Sequence, residues 1–181
     1  KQGAALIQLE EDITWSRTGG NLDNQLFTVA SKNKTYDLQI PLIGDYQLEN
    51  AAAAVSALEA LTRIGTKISK EAIVEGLQKV EWPGRLQILR RQPMVVADGA
   101  HNVDSMGRML GTIKKYFEYA RCYVIFGVSS DKDIPGIVRE LASFSPYIIV
   151  TSSNHPRAAA SSVLVGEFLK MGIKAKVVNT V

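Results

Sequence analysis

The chain has 181 residues, 46% hydrophobic and 22% charged, which is enough for one fair-sized core or two small ones. That balance excludes a disordered tail, a collagen-like rod and a disulfide scaffold, and no apolar stretch reaches the ~20 residues that span a bilayer. The formal charge of +3 comes from 21 basic residues spread along the chain, so there is no nucleic-acid footprint, only a mild bias that suits an anionic small molecule.

Residues 4–40 read as strand-like pieces with polar turns. Phe27 to Ala30 and Tyr36 to Ile40 flank Ser31-Lys32-Asn33-Lys34, a hairpin pattern. The period then changes. From Asn50 onward, Ala51, Ala54, Val55, Leu58, Leu61 and Ile64 follow helical spacing, and Gly65 is a natural stop. A second helix starts behind Ser69 as N-cap and puts Ile73, Val74, Leu77 and Val80 on one face. Pro83-Gly84 ends that pair. Beyond it strands at 94–97, 122–126, 147–150 and 176–178 alternate with helices near 105–117, 135–144 and 162–170, and Asp133 before Ile134-Pro135 is a good N-cap. Continuous apolar strands between amphipathic helices predict a parallel sheet covered on both faces.

The boundary of this α/β pattern falls near residues 80–90. Three strand ends are polar: Asp98-Gly99-Ala100-His101-Asn102, Gly127 to Asp133, and Thr151 to Arg157. In a parallel sheet all three would emerge on one edge and converge on a crevice, which is where open α/β sheets bind ligands. Asp98 suits a ribose hydroxyl, and the plainer role is an Asx-turn or N-cap; the neighbouring His101 favours function. His101 is open between holding an anionic group or shuttling a proton and a backbone-bonded residue at a helix start. Arg85, on the rigid Pro-Gly turn, is shaped for bidentate phosphate binding, although a lone linker arginine is more often just solvated. Asn50 offers an amide that reads a base edge or, more plainly, caps a helix. Lys132, between Asp131 and Asp133, reads as a surface pairing, and Arg157 as a brace for its loop.

The chain's one cysteine, Cys122, lies in an apolar run and reads as a small buried hydrophobe; with no second cysteine there is no internal disulfide, as suits a reducing cytoplasm. Two histidines, His101 and His155, and no cysteine cluster leave a zinc-type site short of ligands, so no metal site is expected. There is no Gly-x-x-x-x-Gly-Lys-Ser/Thr loop, Gly-x-Gly-x-x-Gly fingerprint or Gly-x-Ser-x-Gly elbow. The start at Lys1, in mid-pattern, reads as that of a fragment, and Val177-Val178 close to the end leaves the second region incomplete.

Four segments, in order, resemble the folylpolyglutamate synthase/dihydrofolate synthase family within the wider group of Mur-type amide ligases. They are Gly44-Asp45-Tyr46-Gln47-Leu48-Glu49-Asn50-Ala51-Ala52, Trp82-Pro83-Gly84-Arg85-Leu86-Gln87, Asp98-Gly99-Ala100-His101-Asn102, and Thr151 to Arg157, ending His-Pro-Arg; Asp131-Lys132-Asp133 also fits. One departure is Asp45-Tyr46, where many relatives have a histidine before the glutamine. The resemblance implies that 1–82 are the end of a P-loop ATPase domain (a hairpin and two helices). It implies that 83–181 are most of a Rossmann-like α/β carboxyl-terminal domain with a mostly parallel sheet flanked by helices. It further implies an ATP-dependent ligase that phosphorylates a carboxylate of dihydropteroate or a folate and lets the amine of L-glutamate attack the acyl phosphate. Asn50 would lie on the adenine side of ATP, Arg85 on the phosphate side, Asp98 on the ribose side, and His101 near incoming glutamate as the residue tied to activity. The P-loop and the Mg2+ ligands would belong to an absent amino-terminal part. The family also implies a cytoplasmic monomer acting on small molecules, without nucleic acid or membrane, inactive as this fragment alone. Two alternatives stand beside it: another Mur-type amino-acid ligase, and a non-catalytic nucleotide-binding module.

Overall fold

The computed structural model describes residues 6–32, 34–145 and 147–178, so residues 4 and 5 of the first strand-like stretch and Asn33 of the hairpin turn lie outside the described residues. The chain forms two compact units, Lys1–Asp98 and Gly99–Val181. Just after the expected boundary at 82/83, residues 87–97 form a hairpin that groups with the first unit.

The first unit is built on an antiparallel sheet of β1 (Ile13–Gly20), β2 (Gln25–Ser31) and β3 (Thr35–Ile40). The predicted hairpin is β2–β3, with Phe27 opposite Leu38 and Val29 opposite Tyr36. Those four side chains alternate with exposed ones, so one face of the sheet is buried. Helix α1 (Asp45–Arg63) lays Leu48, Ala51, Ala52 and Val55 on that face, and α2 (Lys70–Gln78) adds Ile73. Ser69 does cap α2, its hydroxyl accepting the Ala72 N–H at 3.1 Å. Val74, Leu77 and Val80 pack against the same core.

Helix α1 starts earlier than the sequence pattern suggested. Gly44, at φ 113°, precedes Asp45, and no side chain caps the end, which removed the usual signal. Asn50 therefore sits within α1 and is exposed. Gly65, at φ 103°, follows the end of the helix as predicted. Beyond α2, β4 (Gln87–Arg91) and β5 (Met94–Ala97) form a separate antiparallel pair with a bulge between Ile88 and Arg90.

The second unit carries the predicted parallel sheet, with strand order β6 (Tyr123–Phe126), β7 (Tyr147–Val150), β8 (Lys176–Val177). Helices α3 (Val103–Tyr116), α4 (Ile134–Phe144) and α5 (Ser161–Lys170) complete the alternation. Ile137, Leu141, Leu164 and Phe168 pack with Phe126, Ile148 and Val150 in one core, and Phe168 meets Phe126 edge-on at 6.1 Å. The opposite sheet face is open: Tyr123, Ile125 and Tyr147 are 60%, 70% and 42% exposed. The expected cover on both faces is thus corrected to cover on one face among the described residues. The strand at 94–97 also differs, since it pairs with β4 instead of joining this sheet.

Candidate functional site

The Trp-Pro-Gly-Arg-Leu-Gln segment is a turn held at each end. Gly84 takes φ 74°, a left-handed value that glycine adopts without strain, and its N–H donates to the Gln87 side-chain carbonyl at 3.0 Å. Leu86 is also left-handed, at φ 42°, which costs a branched residue about 1–3 kcal/mol. Two features offset that strain. The Leu86 side chain is buried, and its N–H donates to Asp98 Oδ2 at 2.7 Å. The N-cap of the following helix is Asn102, not Asp98. The Asp98 carboxylate ties the end of β5 to the residue after Arg85.

A further residue joins the two motifs. Burial, reinforced by the Asp98 carboxylate, pushes the Tyr46 hydroxyl up to about 12, against the opposing pulls of a hydrogen bond with Gln47 and of the Arg85 guanidinium. Tyr46 thus stays protonated at neutral pH and lies within electrostatic reach of both charges. Next to it, Gln47 is buried and its side-chain carbonyl accepts from Asn50 Nδ2 at 3.3 Å. Asn50, Gln47, Tyr46, Asp98 and Arg85 thus form one connected series in the first unit. Three of the expected nucleotide-side residues are brought together, with Tyr46 as the link that sequence reasoning missed. The available signal was its position: it stands where the resembling motif carries histidine. Arg85 keeps its planar group 5.8 Å from the Trp82 ring centre, which fixes the side chain while leaving N–H edges for an anion.

His101 lies in the second unit and is exposed. Its Nδ1 is 2.9 Å from the Gly99 carbonyl oxygen, and because a carbonyl can only accept, Nδ1 carries the proton and, in the neutral ring, Nε2 is the acceptor. Immediately after it, Asn102 caps α3 in a reciprocal box with Ser105, at 2.8 and 3.2 Å. His101 is thus held at a helix start with one nitrogen presented.

The loops after β6 and β7 meet, as parallel pairing requires. Ser130 N–H donates to the Arg157 carbonyl at 2.7 Å, and Ala159 N–H to the Val128 carbonyl at 2.8 Å. Gly127 permits this approach, since a Cβ there would come within 2.9 Å of the Thr151 carbonyl oxygen. Two of the three polar strand ends therefore converge. The third, ending at Asp98, follows the antiparallel β4–β5 pair and so does not emerge from the parallel sheet as expected. Lys132 pairs with its neighbour Asp131 at 2.9 Å, and Asp133 caps α4 through Gly136 N–H at 3.0 Å. Among the described residues no three His, Cys, Asp or Glu side chains gather as a metal site. The described residues thus form no all-protein cage for Mg2+, which is commonly held by one or two carboxylates and substrate phosphates. No described helix is long and apolar enough to cross a membrane.

The model of the Mur ligase glutamate ligase domain matches residues 84–181, more than half of the chain. The chain belongs to the Mur ligase family. Within that family it is 34% identical over 140 residues to a dihydrofolate synthase/folylpolyglutamate synthase of Bacillus subtilis, covering 76% of this chain and 33% of that protein. It is 30% identical to a folylpolyglutamate synthase of Lacticaseibacillus casei, covering 86% and 37% respectively. A Mycobacterium tuberculosis folylpolyglutamate synthase solved with ADP superposes with a TM-score of 0.87 at 25% identity, over 95% of this chain and 39% of that one. The chain thus spans little more than a third of these Mur ligase relatives, and its α/β fold is theirs.

Proposed function

We propose that this chain is the carboxyl-terminal part of an ATP-dependent ligase that joins L-glutamate to dihydropteroate, to folates or to both through an acyl phosphate. The bond between Leu86 N–H and Asp98 carries this reading most directly. It fastens the hinge turn to the acid of the Asp-Gly-Ala-His-Asn motif, so the residue next to Arg85 and the Asp98 carboxylate are held together. Residues 1–82 would be the end of the ATPase domain and 83–181 the ligase domain.

In this scheme Arg85 faces phosphate, Asp98 the ribose, Asn50 the adenine, and His101, through Nε2, the incoming glutamate. The chemistry demands such groups. A phosphoryl group and two carboxylates repel one another unless cations sit among them, and an acyl phosphate survives only where water is kept out. Mg2+, whose ligands would lie in the absent amino-terminal part, would supply further charge neutralisation there. The enzyme would act as a cytoplasmic monomer on small molecules, without nucleic acid or membrane.

The complete protein tests this. Arg85→Ala and Asp98→Asn are expected to lower ATP-dependent incorporation of labelled glutamate by at least about 100-fold, with circular dichroism unchanged. Wild-type turnover in either variant removes that residue from the mechanism. Dihydropteroate and tetrahydrofolate assayed side by side decide the acceptor.

A further inference from the structure

Trp82 is 58% exposed and, among the described residues, takes part in neither core cluster, so apolar burial does not account for it. Its place follows from the turn that it opens. Pro83 presets φ at about −65°. Gly84 adopts φ 74°. That pairing is the mark of the two central residues of a type II turn. Such a turn folds the chain back and sets its first and fourth residues, Trp82 and Arg85, side by side. The Arg85 guanidinium carbon lies 5.8 Å from the Trp82 ring centre. The backbone beyond Arg85 is fixed as well, because Leu86 N–H is held by Asp98. The turn and this bond therefore settle the main chain on both sides of Arg85. They leave its long side chain to be ordered by something else, and ordering it costs rotamer entropy.

We infer that Trp82 is a positioning residue: its ring face holds the Arg85 guanidinium ready for the nucleotide phosphates, without itself touching the nucleotide. This role presupposes the ligase function proposed above and deepens it on the phosphate side. A guanidinium is planar and lies along an aromatic face while its N–H edge stays free to meet an anion in bidentate fashion. Among side chains the indole offers the strongest such face. The ring removes rotamers that Arg85 would otherwise lose only when ATP binds, so the ordering is done beforehand and binding is tighter. The exposure of Trp82 suits this role, since the ring must stand beside a side chain that reaches out of the core. Trp82→Leu keeps apolar bulk and removes the π face, whereas Trp82→Tyr keeps a weaker face.

The test uses the complete protein and calorimetric titration with the non-hydrolysable β,γ-methylene analogue of ATP in the presence of Mg2+. Trp82→Leu is expected to weaken binding about fivefold, and Trp82→Tyr less than about twofold. In an Arg85→Ala background the same Trp82→Leu change should add less than about twofold, because a residue that acts through another then has nothing to act on. KM for glutamate should stay within about twofold in both Trp82 variants. A fivefold loss that persists without Arg85 shows direct contact between indole and nucleotide and overturns the proposal. Full-strength binding by Trp82→Leu, or equal losses with leucine and tyrosine, also overturns it. Each of these results leaves the ligase reading intact. A wild-type protein that binds no adenine nucleotide overturns both.

Discussion

The two units hold their polar groups in different ways. In the first, side chains reach across the sequence. Tyr36 Oη and Ser31 Oγ donate to buried Glu59 at 2.9 and 3.0 Å, and Leu86 is tied to Asp98. In the second, polar residues are fixed mainly by neighbours in the chain, as with Asn102 and Ser105 or Asp133 and Gly136, while one apolar layer supports the sheet. The contrast shows where geometry is set by tertiary structure and where by local caps. Arg85, Asp98 and Tyr46 depend on the whole first unit, whereas His101 depends on three residues around a helix start.

The largest effect should come from the single-sided core. Phe168→Ala removes a fully buried ring and is expected to destabilise the second unit by about 3–5 kcal/mol. Hydrogen exchange followed by mass spectrometry should show lost protection in 99–178 with 6–98 unchanged. Equal loss in both would end the comparison. Next, Tyr36→Phe leaves Glu59 with one fewer donor and should cost about 1–2 kcal/mol in a urea melt. Burial, with the Glu59 hydrogen bond and charge, pushes Tyr36 up to about 12 from an ordinary 10.0. A raised value means stability complete below pH 10 and lost as pH climbs from 10 to 12. The variant should lack that alkaline loss. The smallest effect is local. Asn102→Ala should cost about 1 kcal/mol and confine exchange changes to the first turn of α3, beside His101.

Periodicity made most of the fold legible. The β2–β3 hairpin, both helices of the first unit and the α/β alternation of the second follow from apolar spacing that matches their packing. Other elements were hidden for physical reasons. Strand β4, Gln-Ile-Leu-Arg-Arg, is largely exposed and lacks strand alternation, and α1 begins at a glycine without a capping side chain. The open sheet face was unreadable because an apolar strand looks the same whether one side or two are covered. Arg85 and Asp98 could be singled out from turn chemistry and motif. Tyr46 stood out only as a departure from the motif, since its nearness to them arises only when α1 packs in the folded unit.

The uncovered side of the β6–β7–β8 sheet has a consequence for colloidal behaviour. Tyr123 and Tyr147 stack across adjacent strands at 5.0 Å beside Ile125, making an oily wall on an otherwise charged molecule. Lyotropic salts such as ammonium sulfate favour joining such walls, while moderate urea loosens them. Self-association through Tyr123, Ile125 and Tyr147 is therefore expected to rise with ammonium sulfate and fall with urea.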